Sequence, residues 1–253
     1  TWMDVVGNNI ANVNTSGFKY GRVNFQDTLS QTISGPTAPG SPVGGTNARQ
    51  IGLGASIGAV DTVHTQGSLL STDRVLDVAI QGNGFFMVSD TATTYYTRDG
   101  AFSLDGDGFL VVPSTGHYVL DSAGAQIQLP ITATGPALES ISIGRDGSIV
   151  GFFDDGTNSV IAQIGLARFA NPDGLLKAGD NLFRETPNSG AAQVGAPQTD
   201  GRGTISSGFI EMSNVDLAQQ FTFLIMAERG FQANSRVITT ADEMLLDLVN
   251  IKR

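Results

Sequence analysis

Apolar residues near the start of the chain follow a helical repeat. Trp2, Val6, Ile10 and Val13 recur at spacings of four, four and three, with Asp4, Asn8 and Asn12 opposite them. At about 100° per residue, Asn9 falls inside the apolar arc. The pattern stops at Asn14-Thr15-Ser16-Gly17, turn chemistry with a glycine placed to cap a helix C-terminus. Thr1-Trp2-Met3 enters the repeat in mid-pattern, so further helix is expected ahead of Thr1. At the other end, Leu217, Leu224, Phe231, Ile238 and Leu245 stand seven residues apart. A companion seam holds Phe221, Ala227, Ala241, Leu248 and Val249. Ser213 precedes Asp216 by three residues in a capping-box-like start, and no proline interrupts residues 214–253. A heptad of this length predicts one long coiled-coil helix. Gly230 weakens it by about 1 kcal/mol relative to alanine, and Glu228, Asn234 and Ser235 are polar in or beside the seam.

Between these ends the period changes. Asp-Gly pairs at 99–100, 105–106, 107–108, 146–147, 155–156, 173–174 and 200–201, with Asn83-Gly84, separate short apolar runs. Such dipeptides between apolar runs are strong hairpin signals. The runs are Val78–Ile80, Phe85–Val88, Phe109–Val112, Ile141–Ile143 and Val160–Leu166. No amphipathic helix intervenes, which disfavours an alternating parallel sheet. The fold class expected is therefore mainly β with helical termini. An all-β outer domain is expected over 55–211, and a discontinuous helical domain over 1–17 and 212–253. Residues 18–54 form an extended connecting region, within which Gly35–Gly54 is rich in Gly, Pro, Ser and Thr.

Composition narrows the function. The 253 residues carry 14 Lys+Arg against 24 Asp+Glu, a net charge of −10. That acidity, with no basic stripe, argues against nucleic acid as a partner. No apolar run approaches the roughly 18 residues of a membrane span. The 32 glycines fit many tight turns. Cysteine is absent, and the two histidines, His64 and His117, stand alone, so no usual zinc set can be assembled.

The remaining chemical motifs fail on context. Gly54-Ala55-Ser56-Ile57-Gly58 matches a nucleophile elbow, but strand-like residues follow where a helix is needed. Gly52, Gly54 and Gly58 lack the spacing and the βαβ unit of a dinucleotide loop. Asp105-Gly106-Asp107-Gly108 opens like a calcium loop, yet Gly116 stands where its twelfth-position Glu belongs. No catalytic residue, metal set or cofactor is expected. A secreted serine hydrolase using Ser56 is the alternative from a different class. The helices are not equal in length, so apolar surface on the longer one is left for a partner.

Several segments carry a resemblance. Asp4-Val5-Val6-Gly7-Asn8-Asn9-Ile10-Ala11-Asn12, then Asn14-Thr15 and Gly17-Phe18-Lys19, resemble the N-terminal signature of bacterial flagellar rod and hook proteins. Leu76-Asp77-Val78-Ala79-Ile80-Gln81-Gly82-Asn83-Gly84-Phe85-Phe86 and Tyr96-Thr97-Arg98-Asp99-Gly100 resemble the family's central motif. Met212-Ser213-Asn214-Val215-Asp216 and Arg229-Gly230-Phe231-Gln232-Ala233-Asn234-Ser235 resemble its ending. Within the family, Gln50-Ile51-Gly52-Leu53-Gly54 and Leu248–Arg253 look most like a short hook protein, with a distal rod protein as the alternative.

The resemblance implies a tubular polymer with paired terminal helices inside and β domains outside. A hook in this family transmits motor torque to the filament. It implies export through the flagellar type III pathway, and a place in the basal body or hook, outside the cell. The partners implied are further copies of the chain, neighbouring axial proteins (distal rod, hook cap, hook–filament junction) and the export apparatus. The residues expected at the assembly interface are Trp2, Val6, Asn9, Ile10, Val13, Leu217, Phe221, Leu224, Phe231, Ile238, Leu245 and Leu248. Asn9 would fix helix register within the tube.

Overall fold

A computed structural model of the chain describes residues 1–40, 44–90, 92–130 and 138–251. Helix α1 spans Trp2–Ala11 and buries Val6 and Asn9. The chain then leaves through a turn and enters strand β1, Gly21–Asp27, which begins a long two-stranded ribbon. Strands β2 (Ser30–Ser34) and β3 (Arg49–Gly52) pair with each other. Strand β4 (Ala55–Thr62) returns antiparallel along β1, from Asp27 opposite Ala55 to Gly21 opposite Thr62. Residues 18–54, expected as an extended connection, thus contain three strands, and the fourth strand of the ribbon lies beyond residue 54. Most of the ribbon is exposed on both faces, so its apolar residues do not alternate visibly with polar ones. Cross-strand pairing shapes most of it, and its foot is held against α1 at Gly21 and Phe25.

The ribbon leads into the β body. Its strands are β5 (Leu69–Ser71), β6 (Val78–Gln81), β7 (Phe85–Ser89), β8 (Thr94–Thr97), β9 (Ser103–Leu104), β10 (Leu110–Val111) and β11 (Tyr118–Val119). There follow β12 (Leu138–Ile143), β13 (Ser148–Phe153), β14 (Asn158–Gln163), β15 (Leu166–Arg168), β16 (Leu176–Gly179), β17 (Leu182–Arg184), β18 (Gln193–Gly195), β19 (Thr204–Ser207) and β20 (Phe209–Glu211). Among the described residues, the main sheet runs β16-β17-β8-β7-β11-β10-β9, with β15 joining β7 to β18. Strands β12, β13 and β14 form a separate meander, while β19 pairs with β6 and β20 with β5. The run Val160–Leu166 divides between β14 and β15, because Gly165 turns the chain tightly against the Asp121 carbonyl.

Two apolar clusters fill this body. One gathers Val78, Ile80, Phe86, Phe102, Leu110, Ile149 and Ile205, among others. The second holds Phe85, Met87, Tyr96, Phe169 and Phe183. Gly100 shows why a glycine ends the Arg98-Asp99-Gly100 turn. A Cβ there would sit 1.7 Å from the Val78 carbonyl oxygen, which leaves room for hydrogen only.

The chain closes with α2, Leu217–Ile251, a helix of 35 residues and about 52 Å. Asp216, not Ser213, caps its start. The Asp216 carboxylate accepts from the backbone of Ala218 at 2.9 Å and Gln219 at 3.3 Å.

Candidate assembly surface and its anchor

The two chain ends meet at the base of the ribbon. Asn12 folds back to donate to the Asn8 carbonyl at 2.9 Å and accepts from Thr15 at 3.1 Å, which rounds off α1. Gly17 then takes φ +66° and donates its N–H to the Glu211 carbonyl at 2.8 Å. A Cβ at Gly17 would lie 2.5 Å from the Asp99 nitrogen, so glycine is required twice over. Phe18 is buried beneath the Lys177 ammonium, 5.0 Å from the ring centroid.

Two asparagines do the joining. Asn214 accepts from the Tyr20 N–H at 3.0 Å and donates to the Val63 carbonyl at 2.9 Å and the Thr65 hydroxyl at 2.9 Å. It therefore ties the approach to α2 to both strands at the foot of the ribbon. Asn9 does the same from α1. Its amide donates to the Gly21 carbonyl at 2.9 Å and to Gln220 at 3.1 Å, while its carbonyl accepts from the Gly21 N–H at 2.9 Å. Within the single chain the contacts of Asn9 are intramolecular. Its polar groups are satisfied within the chain, so burial carries little penalty.

Beneath these contacts lies a buried charge cluster. The Lys19 ammonium donates to Glu211 at 2.5 Å and to the Thr65 carbonyl at 2.7 Å. Arg98 donates to the other Glu211 oxygen at 3.3 Å and to the Gly82 carbonyl at 2.8 Å. The Gly67 N–H also reaches Glu211, at 2.9 Å. All three charged side chains are sealed from solvent. Burial lowers the pKa of Lys19 and of Arg98, and the Glu211 carboxylate opposes the shift in both. His64 packs edge-on to Phe85 and Phe183, at 5.4 and 5.1 Å between ring centroids. Burial, then Lys19, Arg98 and Lys177, push its pKa down to about 3. Gly82 and Gly84 flank this cluster at φ +104° and +139°, and Asp77 is buried near Arg74. Phe85 stacks under Arg98 at 5.2 Å.

The expected interface residues divide into two groups. Val6 and Asn9 are buried within the chain, whereas Trp2, Ile10, Val13 and Leu224 are partly covered. Trp2 lies 5.9 Å from Phe25 and 6.4 Å from Phe223, between ring centroids. The other group faces solvent: Leu217, Phe221, Phe231, Ile238, Leu245 and Leu248 are all exposed, with Phe231 at 69% and Ile238 at 70%. Asn234 is also exposed on α2. The ten residues of α1 extend about 15 Å, so they reach only the first turns of α2, around Gln220 and Phe223.

The heptad reading missed both of those residues, because they belong to the face next to the seam. It also gave no role to Lys19, Arg98 or Glu211. Lys19 and Arg98 stand inside the quoted motifs and Glu211 immediately before one. A charged residue fixed within a glycine- and aromatic-rich motif was the available signal.

The chemical motifs stay apart. Ser56 lies within β4 opposite Gln26, with no helix after it. Asp105 and Asp107 occupy the turn between β9 and β10, where the Asp105 N–H donates to the Phe109 carbonyl. His117 stacks on Tyr95. Among the described residues, no three of His, Asp and Glu converge in a metal-ligating group.

Family matches follow the same layout. Residues 2–19 match the family described as flagella basal body rod protein. Residues 79–151 match the flagellar hook protein FlgE/F/G D1 domain, and 206–251 the flagellar basal body rod FlgEFG protein C-terminal family. The chain is 50% identical over 254 positions to the flagellar basal-body rod protein FlgG of Bacillus subtilis, covering 100% of this chain and 94% of the relative. The chain belongs to the flagellar rod and hook protein family. The corresponding rod protein of Agrobacterium fabrum is 40% identical, covering 96% and 91% of the two chains. The flagellar hook protein FlgE of Borreliella burgdorferi is 30% identical over 425 positions, covering 100% and 96%. The chain is thus a structural subunit of the flagellar axis. The family's N-terminal and C-terminal matches cover α1 and α2, the two elements that the Asn9, Asn214 and Glu211 contacts bring together.

Proposed function

We propose that this subunit builds the distal part of the flagellar rod, polymerising through the exposed seam of α2. The supporting observation is co-linearity. The alignment with the Bacillus subtilis rod protein takes 254 positions for a chain of 253 residues, whereas the alignment with the hook protein takes 425. A rod subunit of this length needs no inserted outer domain. The hook is the second reading, which the quoted motifs favoured, and the 30% identity spanning all of this chain keeps it in play.

In either place the physical task is the same. Each copy presents an apolar stripe on α2 that residues 2–11 leave exposed, and neighbouring copies bury it. We further infer a division of labour in which α1 and α2 form the inner layer and the β body the outer one. Export through the flagellar pathway and contacts with the adjoining axial proteins follow from that assignment. Electron microscopy of basal bodies from the source bacterium, with the coding sequence deleted, tests the choice. Basal bodies that stop short of a complete rod support the rod. Complete rods that lack only the hook support the hook.

A further inference from the structure

The base of the β body holds more positive charge than the chain neutralises. Lys19 and Arg98 share the single carboxylate of Glu211, and all three are sealed from water. Two buried cations that share one carboxylate leave a net positive charge beside a cavity, and such a charge is costly to bury. Beside Arg98 lies a cavity of about 190 Å³, lined by His64, Asn83, Gly84, Phe85, Arg98 and Arg168 and floored by Phe169, Ala170 and Pro172. Among the described residues no acidic side chain lines it, in a chain of net charge −10. Arg98 is 3% exposed, and its Nε and both His64 nitrogens have no hydrogen-bond partner among the described residues. Arg168 supplies a second guanidinium, of which one nitrogen donates to the Asp200 carbonyl at 2.7 Å.

We propose that this cavity is a binding site for a carboxylate, held between the Arg98 and Arg168 guanidiniums. The planar Arg168 fork matches the two oxygens of a carboxylate, and Arg98, whose Nη atoms already donate to Glu211 and Gly82, adds its charge beside it. The apolar floor of Phe169, Ala170 and Pro172 suits the short hydrocarbon stem that a carboxylate carries and a phosphate lacks. The volume admits a small carboxylate, from acetate up to a group about the size of a benzene ring. Such a group comes either from a free carboxylate in solution or from an acidic side chain of a second copy. The two sources present the same chemistry.

Sodium acetate, titrated into the full chain at pH 7 and constant ionic strength, tests the site. Thermal unfolding reports binding, since a ligand of the folded state raises the midpoint by mass action. The midpoint is expected to rise and saturate. Arg168→Gln, which removes a partly exposed side chain, is expected to need about tenfold more acetate for the same rise. Arg168→Lys keeps the charge without the fork and should fall between the two. A midpoint indifferent to acetate, or an Arg168→Gln response equal to that of the parent, overturns the proposal. The source is read from assembly, in an arm that rests on the polymer reading. Acetate that slows polymerisation of the parent but not of Arg168→Gln identifies a neighbour's acidic side chain as the occupant. Acetate that binds and leaves polymerisation unchanged identifies a free carboxylate.

Discussion

Asn9 and Gly21 hold each other by a reciprocal pair of hydrogen bonds, both 2.9 Å long, between one side-chain amide and one backbone peptide. The pair closes a loop of the chain between α1 and the first strand of the ribbon. A third bond to Gln220 at 3.1 Å extends the lock to α2. Asn9→Ala leaves the Gly21 peptide and the Gln220 carbonyl without these partners, at a cost of about 1–3 kcal/mol. The loss should be local, releasing α1 while the β body stays folded. Hydrogen exchange of residues 2–11 checks it, and unchanged protection there would refute the lock.

Glu211 has a different kind of importance. Among the described residues it is the only carboxylate in contact with the sealed ammonium of Lys19 and guanidinium of Arg98. Glu211→Gln should therefore destabilise the fold by about 3–5 kcal/mol, because two buried cations lose their partner. Pairing it with Lys19→Met should restore part of that loss, since one of the stranded charges goes too. Urea unfolding of the two variants gives the comparison. A double variant as damaged as the sum of its single changes would mean that the two residues are not coupled.

Acid should loosen the same region through His64. Its pKa in the folded chain is about 3, against 6.5 for a free histidine. The folded state therefore binds fewer protons than the unfolded one below pH 6.5. Stability contributed by the neutral ring is present above that value and is lost as the pH falls toward 3. Between pH 7 and 5 few carboxylates titrate, so the histidine leads in this window, opposed by Asp99, whose pKa burial raises. His64→Leu should flatten the fall in stability across it. A variant as acid-sensitive as the parent would shift the effect to other groups.

The sequence made the large divisions readable and the joints unreadable. Val78–Ile80 and Phe85–Val88 are short apolar runs fenced by glycines, and they became β6 and β7 nearly residue for residue. The seven-residue spacing from Leu217 to Leu245 announced α2 for an equally local reason. Asn9 and Asn214 could be recognised by motif, but their roles depend on partners 12 and 194 residues away. No spacing rule reaches that far. The ribbon failed from the opposite cause. Its strands are solvated on both faces, so nothing in the polarity pattern distinguishes Gly35–Gly54 and its flanks from a plain linker.

Phe231 separates folding from assembly. It lies at the middle of the α2 seam, between Leu224 and Ile238, and is 69% exposed in the single chain. Phe231→Asp removes no contact of consequence there, so the monomer's stability should change by no more than about 0.5 kcal/mol. In a polymer that buries the seam, the same change costs the aromatic burial, about 3 kcal/mol or more. Desolvation of the new carboxylate adds to that, and every copy carries the defect. The variant should therefore unfold like the parent in urea, leave the cell, and fail to extend the axis in electron micrographs of flagella. The two measurements must be read together. Normal unfolding with failed assembly places Phe231 at a contact between copies. Normal assembly shows that the seam faces solvent in the polymer as well, and the contact must then be sought on the α2 face that carries Gln220 and Phe223.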